Sequence, residues 1–384
     1  MSIWDRIVGQ DRPRAFLQAA ADDPADSYLL VGPPGSGKLD AAKVFAAAIV
    51  CPIRDDDCPN CSRILRDLHP DVSVFEPEGF TFPVETIRQM VATASLSPFE
   101  SKRRAFVVEQ ADRIAERSQN ALLKGLEEPN ASVTWILVAD ALDPFLPTVL
   151  SRCQIVEFSA VTEQAIGALL KSRYNLPDAE VRAFIRYARG DLGKAQALAS
   201  DSNVRALRDL AFDALTKIGS VEGALAAAER AAQIVASLSA GAEADQAAQL
   251  QELEASIGTG KGSASIKKKL TDKHKRALRK LESEAYIDLF DFFADGCRDA
   301  AAVAAGAPAD VVINSDWGPS ISKSTLGTHP SRWISLAELA ANGKIAVMEN
   351  ANAPLVAEAL FLSLTANQPV QSFSKVRSAG VAQG

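Results

Sequence analysis

The stretch that decides the fold is Tyr28-Leu29-Leu30-Val31-Gly32-Pro33-Pro34-Gly35-Ser36-Gly37-Lys38. Four apolar residues suited to a buried strand precede a loop of the pattern G-x-x-x-x-G-K, and residues 39–50 then read as an alanine-rich helix. Small residues let backbone N–H groups surround phosphate oxygens, the helix N-terminus adds partial positive charge, and the lysine reaches the outer phosphates. A plain Gly/Pro turn is the alternative, which the full match in this context disfavours. The pattern predicts a phosphate-binding loop made of Gly32, Pro33, Pro34, Gly35, Ser36, Gly37 and Lys38.

The rest of the first third alternates strand and helix patterns. Short apolar runs with the composition of strands lie at residues 72–75, 105–108 and 135–138. Helical patterns separate them, around 84–94 and 118–128. Such βαβ units form a buried parallel sheet with helices on both faces. Residues 1–160 are therefore expected to form an α/β P-loop domain.

Strand patterns stop after Phe158, and the remainder reads as helical. Three short helical patterns follow, at residues 162–174, 177–189 and 192–199. They predict a three-helix lid over 161–203, followed by an all-α C-terminal domain over 204–366. Within that domain a basic flexible insertion is expected at 258–280. The small and polar residues of 367–384 predict a disordered tail.

Composition limits the broad class of protein. A chain of 384 residues with net charge −7 suggests two or three domains and no chain-wide attraction for nucleic acid. No signal-peptide pattern opens the sequence, and no apolar run reaches about 18 residues. The five cysteines are an odd number, which argues against a secreted disulfide framework. A cytoplasmic location is expected.

Two positions that metal-assisted ATP hydrolysis requires are altered. Leu39 stands where a Ser or Thr hydroxyl would hold Mg²⁺. The strand at 105–108 should end in an aspartate and a glutamate, but Glu109-Gln110 follows it. Glu109 can contact a metal or be a plain strand-end acid, whereas Gln110 cannot accept a proton. We therefore expect ATP or ADP to bind weakly or not at all, with Glu109 part of a degenerate nucleotide site.

Two further segments carry a family resemblance. Asn120-Ala121-Leu122-Leu123-Lys124-Gly125-Leu126-Glu127-Glu128-Pro129 and Ser151-Arg152-Cys153 resemble the paired signatures of clamp-loader subunits of the AAA+ class. The resemblance implies a RecA-like AAA+ domain with a helical lid and a C-terminal collar for oligomerisation. It also implies that Arg152 is an arginine finger, a catalytic residue for the ATP site of a neighbouring subunit. An arginine that pairs within its own chain is the alternative.

Shorter matches support the resemblance. Gly9-Gln10 is similar to an element near the adenine pocket, and His69-Pro70-Asp71 to the turn before the second strand. Asn352-Ala353-Pro354-Leu355, with the helix after it, is similar to the last collar helix. Gly193 departs from the family, because the lid normally carries a nucleotide-sensing arginine there.

Altered hydrolysis residues beside a retained S-R-C resemble the stator of the bacterial DNA polymerase III clamp loader. Such a subunit has little ATPase activity of its own, although it is a component of a DNA-directed DNA polymerase. The implied partners are ATPase subunits of the tau/gamma type and a delta subunit in a hetero-pentameric ring. The sliding clamp and primer-template DNA would be contacted through the complex during DNA replication. An active ATPase with atypical motifs remains the alternative.

Cys51, Cys58 and Cys61 form the pattern C-x₆-C-x₂-C, in a segment where the family often carries a zinc-binding knuckle. Structural zinc requires four ligands, and Ile64 stands where the family places its fourth cysteine. His69 completes the set only if the chain turns back. Bound zinc and a degenerate knuckle without metal both remain open.

A basic run between residues 261 and 280 carries nine Lys or Arg and one acid. Such a segment can bind a phosphate backbone, although it lacks aromatic residues for base stacking. A solvated, flexible insertion is the favoured interpretation, and a nucleic-acid-binding module is the alternative.

Overall fold

In a computed structural model of the full chain, the described residues are 2–77, 81–127, 130–256, 263–308 and 312–365. The chain divides into two compact units. The first comprises Met1–Asn175 with Ala188–Gln196, and the second comprises Leu176–Tyr187 with Ala197–Gly384. The predicted lid is therefore divided between the two units.

The first unit is built on a five-stranded parallel sheet of order β2-β3-β4-β1-β5. Its strands are β1 Ser27–Val31, β2 Val72–Phe75, β3 Arg104–Val108, β4 Val133–Ala139 and β5 Gln154–Glu157. The sequence predicted the first four of these strands, and the structure confirms them. It did not predict β5, an edge strand with polar ends in which only Val156 is buried. Edge strands lack the continuous apolar run of a central strand.

Helices cover both faces of the sheet. They are α1 Asp11–Ala20, α2 Lys38–Val50, α3 Pro59–Leu65, α4 Val84–Ala94, α5 Glu116–Glu127 and α6 Pro147–Leu150, and α7 Glu163–Arg173 follows β5. Alternate strand residues point to opposite faces, so Leu30 packs in the cluster that contains α2, whereas Leu29 packs in the cluster that contains α4 and α5. The alanine-rich α2 lies close to the sheet because its side chains are small.

The strand order brings the phosphate loop and two acidic residues to the carboxyl edge of the sheet. The register pairs Val31 of β1 with Ala139 of β4, so Gly32 and Asp140 are the next residues on adjacent strands. Val108 of β3 pairs with Leu137, which brings Glu109 to the same edge. Ligands of open parallel sheets bind at this carboxyl edge.

The second unit is all-helical in its described residues, as the sequence predicted. Its helices are α8 Asp178–Ala188, α10 Ser202–Lys217, α11 Val221–Ser256, α12 Ser263–Ala304, α13 Gly318–Ser324, α14 Pro330–Met348 and α15 Ala353–Ser363. Helix α9 Leu192–Ser200 is divided, with its residues up to Gln196 in the first unit. Helix α12 packs against α10, α11 and α14. Its Phe290, Phe292 and Phe293 are buried, and the rings of Phe292 and Phe293 contact Tyr187 of α8 and Phe361 of α15. None of the helices in the described ranges combines the length and apolar character needed to cross a membrane.

The structure differs from the expected flexible insertion. Residues 263–280 form the first turns of α12, because the segment contains helix-forming Lys, Leu, Ala and Arg and no Gly or Pro after residue 262. Residues 257–262 and the predicted tail at 367–384 lie outside the described residues.

Candidate functional site

The Gly32–Lys38 loop leaves β1 and enters α2 at the carboxyl edge of the sheet. Gly35 and Gly37 adopt φ angles of 72° and 81°, which glycine adopts without steric cost. The N–H of Ser36 donates to the carbonyl of Pro33 at 3.3 Å, which closes a turn at the tip of the loop. The loop therefore has the strand, turn and helix start that the sequence predicted.

The side chain of Lys38 is buried and folds back over its own loop. Its Nζ donates to the carbonyls of Gly32 at 2.5 Å and Pro33 at 2.7 Å, and lies 3.4 Å from Ser36 Oγ. It also forms an ion pair with Asp140 Oδ1 at 3.0 Å. Lys38 is thus surrounded by acceptors of its own chain at the position from which it would reach a phosphate.

Asp140 was not predicted as a site residue. It directly follows β4, and its side chain is half exposed. Its contact with Lys38 spans 102 positions of sequence and depends on β4 lying beside β1. An acid directly after the predicted strand at 135–138 was the available signal.

Gln10 links the phosphate loop to the chain that follows β5. Its buried amide donates to the carbonyls of Ser36 at 3.0 Å and Ser159 at 2.5 Å, and its Oε1 accepts from the N–H of Ser159. The Gly9-Gln10 element therefore connects the N-terminal segment, the loop and the chain after β5. Its role in the structure is to hold the loop in position.

A second carboxylate covers the tip of the loop. A Cβ on Gly35 would lie 1.9 Å from Cγ of Asp191, so the carboxyl group rests directly on this glycine. The N–H of Leu192 donates to the Gly35 carbonyl at 2.9 Å, and Asp191 Oδ1 accepts from the N–H of Lys194. A Cβ at this position would require the Asp191 carboxyl to move, and the φ of 72° also favours glycine.

The two altered hydrolysis positions occupy well-defined places. Leu39 is half-buried and packs against the core on the α2 side of the sheet, so its side chain serves packing. Glu109 directly follows β3, and its N–H donates to the carbonyl of Phe75. Gln110 adopts a left-handed conformation with φ 51°. The structure brings Glu109, Asp140 and the loop to one edge of the sheet.

Arg152 lies on the short turn between α6 and β5, and Ser27 Oγ donates to its backbone carbonyl. Its exposed guanidinium pairs with Glu127 Oε1 at 2.7 Å and donates to the carbonyl of Thr148 at 2.8 Å. Glu127 is the last residue of α5. In the isolated chain the predicted finger is therefore held by its own subunit.

The three cysteines converge as predicted. Cys51, Cys58 and Cys61 are buried, their Sγ atoms lie within 4.8 Å of one another, and those of Cys51 and Cys58 are 3.6 Å apart. The N–H of Cys61, at the start of α3, lowers the pKa of Cys58, whereas burial raises the pKa of Cys61 to about 12. These thiols have the proximity that zinc requires.

The metal-competent group among the described residues contains these cysteines and no fourth ligand. His69 does not join it, because the ring lies in the turn before β2, where Nδ1 accepts from the N–H of Asp71 at 3.2 Å. Burial lowers the pKa of His69. Within the described residues, the cluster could offer three thiol ligands to a metal ion.

The class of the first unit is defined by its strand order, the loop after β1 and the lysine at the start of α2. The first unit is a P-loop domain of the RecA-like AAA+ type.

Comparisons with known proteins refine that class. Residues 14–162 match the family described as "DNA polymerase III, delta subunit". DNA polymerase III subunit delta' of Bacillus subtilis is 32% identical over 176 residues, which cover 43% of this chain and 53% of that protein. Subunit tau of the same organism is 30% identical over 170 residues, covering 42% of this chain and 30% of tau.

A solved gamma subunit-related protein of Thermotoga maritima aligns over 92% of this chain and 99% of its own, with 15% identity and a TM-score of 0.46. The sequence comparisons confirm the resemblance to clamp-loader subunits and include delta' subunits among the similar proteins. This chain spans about half the length of the delta' subunit of Bacillus subtilis.

Proposed function

We propose that the protein is the delta' subunit of a bacterial DNA polymerase III clamp loader, a stator that hydrolyses little or no ATP. The observation that carries the proposal is a retained Arg152 on an exposed turn of a P-loop domain whose own loop is followed by Leu39. In this function Arg152 completes the ATP site of a neighbouring ATPase subunit in the cytoplasm. Sliding-clamp loading would then depend on ATP bound at that neighbour.

Two independent features argue against hydrolysis by this chain. The side chain of Leu39 packs in the core and offers no oxygen to Mg²⁺. Gln110, at the end of β3, cannot take a proton from an attacking water. Glu109 alone does not replace both functions.

The isolated protein should therefore hydrolyse ATP at the background rate. A steady-state assay with primer-template DNA present would measure this, with the ATPase subunit of the same loader as the positive control. A rate equal to that of the intact ATPase subunit would instead establish the alternative, an active AAA+ ATPase with atypical motifs.

Helix α14 offers a surface for the proposed ring of subunits. Ile334, Ala341, Ile345 and Met348 are exposed at helical spacing along one face that also carries exposed Glu338. Leu336, Leu339 and Val347 are buried on the opposite face. Exposed apolar stripes of this kind mark protein contacts. The proposed partners are tau/gamma-type ATPase subunits and a delta subunit, with the sliding clamp and primer-template DNA reached through the complex.

We further propose that the three-cysteine cluster binds zinc through Cys51, Cys58 and Cys61. Protein purified without chelator should then contain about one zinc per chain, and Cys58→Ser should lower the content at least about fivefold, because one of three thiolates is lost. Elemental analysis of the folded proteins measures both. Cys153→Ser is the matched control, since Cys153 lies outside the cluster. Equal, negligible zinc in all three proteins would indicate a metal-free thiol cluster.

A further inference from the structure

We infer that Asp140 and Asp191 determine the selectivity of the Gly32–Lys38 loop, by presenting carboxylates to the groups that would bind phosphate. The inference rests on the proposed function in one respect, that the loop is a nucleotide loop not used for hydrolysis. It assigns the exclusion of nucleotide to two residues outside the loop.

The charge of Lys38 is already paired within the chain. An ammonium group has three N–H donors. Around Lys38 Nζ the structure places the carbonyls of Gly32 and Pro33, and the Asp140 carboxylate at 3.0 Å. Asp140 thereby supplies the negative charge that a phosphate would supply, and the donors of the lysine have partners without a ligand.

The tip of the loop is covered by a second carboxylate, that of Asp191. The Asp191 carboxyl rests on Gly35, and its position is fixed because Oδ1 accepts from the N–H of Lys194 while the N–H of Leu192 donates to Gly35. The N–H of Ser36, a candidate phosphate donor, is already bonded to Pro33. A polyphosphate that approached this loop would meet a fixed negative charge.

The two carboxylates act together as repulsive elements. Like charges in contact oppose binding more strongly than a missing attraction does, and selectivity is often built in this way. In a phosphate loop without these carboxylates, in contrast, the lysine would exchange its carbonyl partners for phosphate at little cost in free energy. The two cases differ in what happens when the charges are removed.

The test is the double variant Asp140→Asn, Asp191→Asn in the full chain. Asparagine keeps the size of both side chains and caps a helix as well as aspartate does, so α9 should remain intact. Isothermal titration with ATP and with ADP, in EDTA because Leu39 offers no ligand to Mg²⁺, should show affinity at least about tenfold higher than in the wild type. Adding Lys38→Ala to the double variant should abolish the gain.

Asp143→Asn is the matched control, because this exposed carboxylate lies three positions from Asp140 and should leave affinity unchanged. Circular dichroism monitors folding. Equal affinity of the wild type and the folded double variant for nucleotide would overturn the inference. If Asp191→Asn prevents folding, Asp140→Asn alone must raise affinity at least about threefold, and no gain would count against us. Because binding to the isolated chain is measured, failure here leaves the proposed role of Arg152 untouched.

Discussion

Arg152→Ala should leave this protein folded and assembled with its partners while it lowers DNA-stimulated ATP turnover by the complex. An arginine presented in trans stabilises the charge of the transferring phosphoryl group, and its loss costs about 10³-fold or more at the site it serves. The effect would be seen on another chain, since the loop of this subunit lacks a hydroxyl at Leu39. The measurement is single-turnover ATP hydrolysis by the reconstituted complex.

The folded state should tolerate this change. The side chains of Arg152 and Glu127 are 35% and 44% exposed. Exposed ion pairs contribute only about 0–1 kcal/mol to stability. Loss of turnover in a complex of normal composition is therefore a loss of chemistry. Arg117→Ala, at another exposed arginine of the same unit, is the matched control and should have no effect.

Two more variants separate the finger from a simple surface pair. Arg152→Lys keeps the charge but loses the planar fork, so turnover should remain well below that of the wild type. Glu127→Gln removes the partner that holds Arg152 at 2.7 Å, and should keep or modestly raise turnover. Wild-type turnover in the Arg152→Ala complex would mean that the arginine serves only its own chain.

Sequence reasoning succeeded where the signal was local. β1, the loop and α2 lie within residues 27–50, and their apolar run, glycines and alanine-rich helix are all contiguous. The cysteine cluster was also predictable, because Cys51, Cys58 and Cys61 are close in sequence. In contrast, the flexible insertion expected at 258–280 from the adjacent Gly/Ser run differs from the structure, because residues 263–280 are helical and rich in helix-forming side chains.

The contacts that the sequence did not predict form only in the assembled fold. Asp140 meets Lys38 across 102 positions and Gln10 meets Ser159 across 149, and neither distance is visible before the sheet is assembled. Asp191 reaches Gly35 in the same way, from the turn before α9. These three residues determine the contacts of the loop. The motif therefore predicted the backbone conformation of the loop but not the side chains that surround it.

Asp71→Asn should destabilise the first unit by about 3 kcal/mol, because hydrogen bonds to a buried charge contribute about 1.5–3 kcal/mol each. Asp71 directly precedes β2, and its fully buried carboxylate accepts the backbone N–H groups of Phe99, Glu100 and Ser101 at 2.6, 2.9 and 2.8 Å. An amide offers one acceptor oxygen and directs an NH₂ group at a donor. At least one of the three N–H groups would then lose its partner.

The same contacts predict a pH dependence. Burial alone would raise the pKa of Asp71, but the three N–H groups outweigh burial and lower it below its usual value. A depressed folded-state pKa means that this stabilisation is present above the unfolded value of about 3.9 and is lost as pH falls through the folded value. The stability difference between wild type and Asp71→Asn should therefore be constant near neutral pH and shrink below about pH 4.

Hydrogen exchange locates the effect, because the two units need not unfold together. The amides of Phe99, Glu100 and Ser101 should lose most of their protection in Asp71→Asn, whereas amides of α12 and α14 in the second unit should keep theirs. Urea unfolding at several pH values supplies the free energies, with Asp143→Asn as the exposed-aspartate control. Unchanged protection of the three amides would show that Asp71 does not hold this loop. Loss of that protection would instead show that the His69-Pro70-Asp71 turn anchors, through Asp71, the segment that leads into β3.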